Sequence, residues 1–275
     1  KPFCFWLGTS EPHRAYEKGA GKRTGKDPAK VIVPSIFPDN AIVRSDILDY
    51  YVEVEHFDLM VERAIASLEK RGHLDNTIVV VTSDHGMPFP RAKASLYDWG
   101  SRVPLAIRWP RGIRNPGRDV KDFVHLSDLA PTFIEAAGAD VPSMMTASSL
   151  MKIFSGQKMN DRDAAYFAME RHDGCREGGK GYPCRAVRTQ DYLYIYNFEP
   201  GRWPSGSPDP RVCARSIPFG EIDTSPTKSF MMERRWAHGI AHLAELSFGM
   251  RPAEELYDLK KDPEQLANVA GLIEY

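Results

Sequence analysis

A short apolar run that stops at a group of polar residues constrains this chain more than any other feature. Residues 78–82 read IVVVT, and Ser83-Asp84-His85-Gly86 follow at once. A continuous β-branched run of this length is typical of a strand buried inside a parallel sheet. In open α/β sheets, ligands bind in the crevice beyond the carboxyl ends of the strands. The sequence therefore predicts a strand at residues 78–82 with a functional site directly after it.

The residues after this strand are of types that bind metal ions and anions. Asp84 offers a hard carboxylate oxygen, His85 offers an imidazole nitrogen, and Gly86 permits close approach of the backbone. Lys93 follows a few residues later and supplies a cation that can return to the same crevice. The alternative, which this stretch alone leaves open, is a surface turn in which Asp84 caps the backbone.

Length and charge exclude several classes of function. The chain has 275 residues, of which 42% are hydrophobic, so it can bury a sizeable core. With 36 basic and 37 acidic residues, its formal net charge is −1, which gives no field that would attract nucleic acid or an anionic membrane. No apolar stretch approaches the ~20 residues of a membrane-spanning helix. We therefore expect neither nucleic acid nor a membrane as a partner.

The four cysteines do not form a recognisable framework. Cys4, Cys175, Cys184 and Cys213 are too few for a disulfide-built scaffold and lack the paired spacing of a metal finger. Cys175 and Cys184 can close one short loop, but the sequence leaves open whether they form a disulfide or remain free thiols.

Alternation of strands and helices predicts an α/β fold. The apolar run at residues 3–8, FCFWLG, predicts a central strand, which places His13 and Arg14 just beyond its carboxyl end. Ser45 is the predicted N-cap of a helix that ends near Arg71-Gly72, directly before the strand at residues 78–82. A strand, a crossover helix and a strand make a βαβ unit, so we expect a mostly parallel sheet flanked by helices.

The second half of the chain has a different pattern. A strand at residues 103–109 and a helix at residues 127–138, with Ser127 as N-cap and Gly138 as its stop, end the alternation. The remaining elements predict a smaller antiparallel α+β subdomain. They are strands at residues 166–169, 185–189 and 192–197 and a helix at residues 231–244. We place the boundary near residue 155, which divides the chain into residues 1–155 and 156–275.

Four segments carry a resemblance to a known family. SEPH at residues 10–13, TSDHG at 82–86, PRAKASLYDWGSRVPL at 90–105 and ELYDLKKDPEQLANVA near the end occur in the order typical of sulfatases. The chain resembles the carboxyl-terminal portion of a formylglycine-dependent sulfatase of the alkaline-phosphatase-like superfamily. VIVPSIFPDN, GMPFPRAK and YPCRAVRT are most similar to the heparan N-sulfatase-like branch and to bacterial polysaccharide sulfatases.

The resemblance implies roles for four residues. Asp84 and His85 would be metal ligands, with Ca²⁺ as the expected ion. Many sulfatases carry Asn at the second position, and the imidazole of His85 suits Mn²⁺ or another divalent ion as well. His13 would contact the transferred sulfate and protonate the leaving oxygen, and Lys93 would bind the sulfate. Such a reaction develops negative charge, so it needs cations and a positioned acid.

The nucleophile of the family is not in this sequence. It is a formylglycine made from a cysteine or serine in a C/S-x-P-S-R pattern, and none of the four cysteines lies in one. We expect the N-terminal half of the same enzyme to supply it. The implied function is hydrolysis of sulfate esters or N-sulfates of a saccharide. The alternatives are a phosphonate monoester or phosphodiester hydrolase and an inactive carbohydrate-binding relative. The implied location is the periplasm or the cell exterior, or the lysosome in a eukaryote.

Other polar and aromatic residues are candidates for contact with the sugar. Arginine forks suit planar anions, and tryptophan rings can stack on sugars, although either type is more often structural. The candidates are Arg14, Arg91, Glu170, Arg171, His172, Arg185, Trp99 and Trp203. His172, between two predicted strands, is the first of these.

Overall fold

Helices predominate in the first part of the chain, and most of the strands lie in the second part. A computed structural model describes residues 2–159 and 161–275. The helices are α1 (Ala20–Arg23), α2 (Ala41–Lys70), α3 (Asp98–Ser101), α4 (Leu129–Ala136), α5 (Met151–Phe154), α6 (Pro226–Glu233) and α7 (Ala241–Phe248). The strands are β1 (Val79–Thr82), β2 (Leu105–Arg108), β3 (Ala164–Met169), β4 (Cys184–Thr189), β5 (Tyr192–Asn197) and β6 (Glu254–Asp258).

Both sheets of the described residues are antiparallel. Strand β1 pairs with β2, with Thr82 opposite Leu105, and the second sheet has the order β3-β4-β5-β6. The strands predicted after residue 160 are confirmed as β3, β4 and β5, and the segment ELYD adds β6. The parallel pairing predicted for β1 is not present among the described residues, because the chain turns back after Thr82 and returns beside it as β2.

The predicted strand at residues 3–8 is wrong. This segment forms no strand, and its side chains are exposed, with Phe5 at 77% and Trp6 at 88%. A central strand depends on backbone hydrogen bonds to neighbours along both edges and on burial of both faces. Within the described ranges no strand lies beside residues 3–8, so their apolar composition alone does not produce one.

Helix α2 begins one turn earlier than predicted. Its N-cap is Asn40, whose side-chain oxygen accepts hydrogen bonds from the backbone N–H groups of Ile42 and Val43 at 2.9 and 3.2 Å. Ser45, the predicted cap, lies inside the helix because Asn40 already caps the free N–H groups of its first turn. The predicted end is confirmed, since Arg71 is the C-cap and Gly72 adopts a positive φ of 67°.

Two later helix boundaries also differ from the prediction. Helix α4 begins at Leu129 after a 3₁₀ turn, so its N-cap is Asp128 and not the predicted Ser127. The side chain of Asp128 accepts the backbone N–H of His125, at the start of that turn, at 2.9 Å. Gly138 follows α4 with a φ of 78°, which confirms the predicted stop. The predicted helix at 231–244 is instead the pair α6 and α7. The connection between them contains Gly239, which has a φ of 76°.

The first core joins the start of α2 to α6 and α7. Buried α2 residues lie in its first half, whereas Val54 and Leu59, further along the helix, are 37% and 50% exposed. The core consists of Val31, Ile36, Phe37, Val43, Ile47, Leu48, Phe89, Ala92, Phe219, Ile222, Met231, Ala244 and Phe248. Because these residues come from both sides of residue 155, the division there stays a prediction. No helix among the described residues combines the length and the apolar composition needed to cross a bilayer.

A second core lies under the four-stranded sheet. Inward-facing residues of β4, β5 and β6 pack there against Leu96 and Tyr97. The segment after β1 therefore contributes Phe89 and Ala92 to the first core and Leu96 and Tyr97 to the second. Lys93 lies between these two anchors, so packing on both sides determines where its backbone runs.

One buried ion pair connects three parts of the first core. Arg14 donates two hydrogen bonds to Asp46 on α2, at 2.8 and 3.0 Å, and its guanidinium lies 4.5 Å from the ring centroid of Phe89. Thr227 at the start of α6 donates its hydroxyl to Asp46 at 2.6 Å. Asp46 is only 2% exposed, so its charge depends entirely on these donors.

Replacing Asp46 with Asn tests this connection. Asp46→Asn keeps the shape but leaves the buried Arg14 guanidinium without its counter-charge, so we expect the free energy of unfolding to fall by about 3 kcal/mol. Denaturant unfolding at neutral pH measures the change. Asp58→Asn, an exposed position on the same helix, is the matched control and should change it by less than about 0.5 kcal/mol. Equal effects of the two variants would contradict the structural role of Asp46.

Candidate functional site

The segment after β1, residues 83–93, folds back on itself, so that Lys93 contacts the backbone of Met87. We call it the site loop. Ser83 donates its hydroxyl to the carbonyl of His85 at 2.7 Å, and the Lys93 N–H donates to the carbonyl of Met87 at 3.1 Å. Gly86 donates its N–H to the carbonyl of Gly100 at 2.9 Å, and a Cβ at Gly86 would lie 1.7 Å from the Trp99 carbonyl oxygen. Only glycine fits there, so the loop can turn beside α3 and carry Lys93 back towards its start.

Lys93 lies at the centre of the site. Its side chain is 4% exposed, and its ammonium donates a hydrogen bond to Asp223 Oδ2 at 2.8 Å. On the opposite side, Lys93 Nζ is 3.3 Å from Nε2 of His13, whose residue is exposed. Two residues that are 80 positions apart in the sequence therefore meet at one point. The buried ammonium therefore contacts both a carboxylate and an imidazole.

The hydrogen bonds of His13 identify its tautomer. Its Nδ1 lies 2.5 Å from the backbone carbonyl of Arg14, and because a carbonyl only accepts, Nδ1 carries the hydrogen. In the neutral ring, Nε2 then holds the lone pair that accepts from Lys93. Nε2 of His13 therefore faces the Lys93 ammonium.

Asp223 supports Lys93 and is itself supported. Arg215 donates to its second oxygen, Oδ1, at 3.1 Å, and also forms an ion pair with Asp173. Burial raises the pKa of Asp223, but the hydrogen bond and charge of Lys93 and the hydrogen bond of Arg215 outweigh burial and hold that pKa below its ordinary value. Asp223 is therefore ionised at neutral pH. Sequence reasoning missed it, although a buried lysine on the site loop already requires a carboxylate partner.

A second buried carboxylate holds His172. Glu221 is 2% exposed and accepts from His172 Nδ1 at 3.0 Å, from Arg176 at 2.7 Å and from the Asp173 backbone N–H at 2.9 Å. Asp173 thus belongs to both groups and links His172 to the Lys93 support through Arg215. The Nδ1 contact leaves Nε2 of His172 with no hydrogen bond to any described residue.

A buried lysine braces the turn that carries both carboxylates. Lys228 donates hydrogen bonds to the carbonyls of Phe219 and Ile222 at 2.9 and 2.7 Å. Burial lowers the pKa of Lys228 to about 8, although the nearby Asp223 charge acts in the opposite direction. Its ammonium thereby anchors the residues on either side of Glu221.

Asp84 and His85 lie at the open start of the site loop. The side chain of Asp84 is 85% exposed, and its Oδ2 is 3.6 Å from Nε2 of His85. His85 Nδ1 lies 2.7 Å from the Gly86 carbonyl, so Nδ1 carries the hydrogen and Nε2 is free to bind a metal ion. These two donors suit a divalent cation, yet no group of three such ligands exists within residues 2–159 and 161–275. They are therefore part of a metal site at most, since calcium takes 6–8 ligands.

The arginines predicted to bind substrate occupy different positions. Arg14 is engaged by Asp46 and by the carbonyl of Pro88, and Arg91 is buried, donates to the Leu246 carbonyl and lies 3.8 Å from the Tyr97 ring centroid. Both have structural partners, so the geometry does not support their predicted contact with substrate. Arg171 donates to the carbonyl of Gly179, and Arg185 pairs with Glu170 on the open face of the second sheet.

The remaining aromatic candidates are also engaged. Trp99 donates its indole N–H to Glu264 at 2.9 Å, and Trp203 packs against the first core. Of all the predicted site residues, the structure brings His13, Lys93 and His172 into one connected network. Their roles, like that of the Asp84 and His85 pair, stay predictions.

Comparison with protein families gives two overlapping matches. The model described as sulfatase matches residues 1–139, and the model described as N-sulphoglucosamine sulphohydrolase, C-terminal, matches residues 88–203. The overlap contains the end of the site loop and β2. Both matches cover Lys93, and the second also covers His172.

Curated relatives cover nearly the whole chain but extend well beyond it. An ulvan-active sulfatase of Formosa agariphila is 26% identical over 100% of this chain and 49% of its own length. The human N-sulphoglucosamine sulphohydrolase is 24% identical over 98% of this chain and 57% of its own. The chain spans about half the length of the curated relatives it matches.

Solved structures show the alkaline-phosphatase-like fold of sulfatases. A protein in complex with its substrate D-glucosamine-2-N,6-O-disulfate matches with a TM-score of 0.60 and 25% identity, over 93% of this chain and 41% of that one. The phosphonate monoester hydrolase of Agrobacterium radiobacter matches with a TM-score of 0.56 and 20% identity, over 85% and 38%. The latter shows likeness of fold alone. These matches confirm the predicted α/β class for the chain.

The pH dependence of stability tests the support of Lys93. Because the pKa of Asp223 is lower in the folded than in the unfolded protein, its ionised form stabilises the fold above about pH 4, the ordinary value. We expect Asp223→Asn to reduce the free energy of unfolding by about 3 kcal/mol at pH 7. This difference should shrink as pH falls through the folded-state pKa. Urea unfolding from pH 7 downwards measures it, with Asp58→Asn as the control.

Proposed function

Because this chain belongs to the sulfatase family, we propose that the whole protein hydrolyses sulfate esters or N-sulfates of a sulfated saccharide, and that Lys93 and His13 contribute directly to the reaction. The observation that carries this assignment is the 3.3 Å contact between Lys93 Nζ and His13 Nε2 at the mouth of the site. A fixed cation and a proton-transferring ring at one point suit transfer of an anionic sulfuryl group, because the cation binds its oxygens and the ring can protonate the leaving oxygen or nitrogen.

Lys93 would bind the sulfuryl oxygens. Its ammonium is already desolvated, and Asp223 neutralises it from the buried side. An anion that approaches from the His13 side therefore meets an N–H donor that is held in place and does not lose a hydration shell on binding. Asp223 acts through Lys93, so we assign it as a positioning residue.

His13 would transfer the proton to the leaving oxygen or nitrogen. In the resting structure its Nε2 accepts from Lys93, so an entering sulfate group that takes the Lys93 donor leaves Nε2 facing the substrate. To act as the proton donor, the ring must carry a hydrogen on Nε2 as well as on Nδ1 when the substrate is bound. The carbonyl of Arg14 keeps the ring oriented throughout, because it holds Nδ1–H.

The cofactor and the nucleophile are further parts of this proposal. Asp84 and His85 would contribute two ligands to a divalent cation, calcium or manganese, which would neutralise charge on the sulfuryl oxygens. The other ligands and a formylglycine nucleophile would come from the N-terminal half of the same enzyme. His172, with its free Nε2 in the same network, is the best-placed residue for contact with the sugar.

The names of the relatives support a saccharide substrate. The human relative is named for N-sulphoglucosamine and the solved neighbour holds a glucosamine disulfate. We therefore propose a sulfated amino sugar as the first substrate to assay. Large sulfated polysaccharides do not enter a cytoplasm, so we propose a periplasmic or secreted enzyme, or a lysosomal one in a eukaryote.

The rival enzyme is a phosphonate monoester or phosphodiester hydrolase. Such a hydrolase shares the fold, and the imidazole of His85, where many sulfatases carry Asn, is the feature of this chain that favours it. The two proposals differ in the relative kcat/KM of the whole protein for sulfated glucosamine and for an aryl phosphodiester or phosphonate. Equal or better turnover of the phosphorus esters would overturn the sulfatase assignment, and no turnover of either class would favour an inactive carbohydrate-binding relative.

Substitution of the two central residues tests their roles. Lys93→Ala should lower kcat/KM for the sulfated saccharide by ~10²- to 10³-fold, because a preorganised cation is lost. His13→Ala should lower it by ~10²- to 10⁴-fold and remove a limb of the pH–rate profile, because the proton donor is lost. Sulfate release by the whole protein is the measurement.

Exposed residues of the same types on α2 provide matched controls. Lys70 and His56 are exposed on α2, outside the site loop. Lys70→Ala and His56→Ala should therefore leave kcat/KM within about twofold of the unsubstituted enzyme. If His13→Ala retained full activity with an unchanged pH profile, its role as proton donor would be excluded.

A further inference from the structure

The cysteines have three different environments. Cys4 is exposed, and Cys184 is buried on β4 within the second core. Cys175 and Cys213 lie together, with their Sγ atoms 2.7 Å apart, and are 0% and 5% exposed. The neighbour of Cys175 is therefore Cys213 and not Cys184, which is closer in sequence but whose side chain belongs to the core under the sheet.

Backbone hydrogen bonds hold the two cysteine segments side by side. The N–H of Ala214 donates to the carbonyl of Gly174 at 3.0 Å, and the N–H of Ser207 donates to the carbonyl of Cys175 at 2.7 Å. The first bond joins the residue before Cys175 to the residue after Cys213. The backbone pairing of the two segments therefore places the Cys175 and Cys213 sulfur atoms next to each other.

The sulfur atoms are enclosed by backbone as well as by burial. A Cβ on Gly220 would lie 2.3 Å from Cys213 Sγ and 2.4 Å from Cys175 Sγ, so the main chain of Gly220 closes over the pair. Burial, together with the neighbouring Cys213 thiol, raises the pKa of Cys175 to about 12. A thiolate for catalysis or metal binding is therefore disfavoured here, and none of the described residues forms a three-ligand metal group with either sulfur.

We propose that Cys175 and Cys213 form a disulfide bond in the mature protein. Each thiol loses one proton and one electron, and the two sulfur atoms share the new bond. The two electrons pass to an external disulfide oxidant, such as glutathione disulfide or a disulfide-donating oxidoreductase, which is reduced to two thiols. The exchange takes place before the segment closes, while Cys175 is still accessible and can ionise.

The bond has a defined structural consequence. It joins the segment that carries Asp173 and Arg176 to the segment that carries Arg215, and these residues hold Asp223 and Glu221. A covalent link at this point limits how far the support of Lys93 can open. The inference does not depend on the proposed function, because the bond is detected by mass and not by activity.

Peptide mapping of the full protein tests the bond directly. The protein is exported to an oxidising compartment or refolded with glutathione disulfide, alkylated in denaturant without reductant and digested with trypsin. Cleavage yields HDGCR with Cys175, VCAR with Cys213 and GYPCR with Cys184. We expect HDGCR linked to VCAR, two hydrogen atoms lighter than their sum and absent after reduction. Alkylated HDGCR and VCAR, or HDGCR linked to GYPCR, would overturn the proposal.

Three variants separate the bond from general effects on folding. Cys184→Ser should retain the HDGCR–VCAR peptide, whereas Cys213→Ser should release alkylated HDGCR. Reductant should lower the Tm of the unsubstituted protein by about 5 °C or more. It should leave the Tm of a Cys175→Ser, Cys213→Ser double variant unchanged. A linked peptide with no response of Tm to its reduction would overturn the supporting role of the bond.

Discussion

The burial of the Lys93 ammonium is the constraint on which the site depends. A charge that is 4% exposed must be matched by a partner of opposite sign, and Asp223 supplies it at 2.8 Å. Asp223 is in turn held by Arg215, and Arg215 by Asp173, so the requirement extends from the site loop to the turn before α6. The direction of the ammonium is therefore set by the groups that hold it, which is the property that anion binding needs.

Packing explains why the loop that carries Lys93 keeps one conformation. The loop and the residues that follow it bury Phe89 in the first core and Tyr97 in the second, so the chain is anchored on both sides of the lysine. The Arg14–Asp46 pair performs the corresponding task for His13, because it fixes the adjacent residue against α2 and α6. Two buried charge pairs and two cores thus place an exposed imidazole beside a buried ammonium without any direct covalent link between their segments.

Much of the fold could be predicted from local patterns. The alternation of residues 192–197 and the glycine stops after α2 and α4 specify their elements, because side-chain period and positive φ are local properties. The predicted strand at residues 3–8 failed for the opposite reason. Its apolar residues are typical of a strand, but a strand needs neighbouring strands to pair with, and none of the described residues forms one beside it. The cap of α2 was misplaced because Asn40 and Ser45 are both good caps, and only the backbone decides between them.

The sequence by itself determined which residue types follow β1 and which family motifs surround them, so it was enough to predict His13, Asp84, His85 and Lys93 as site residues. These signals are local in sequence, and a motif can be recognised without the distances between residues in the folded chain. Only the tertiary structure decided that Asp223 is the partner of Lys93 and that Cys175 meets Cys213. Contacts across 130 and 38 positions depend on how the whole chain packs, and no periodicity or spacing within a segment encodes them.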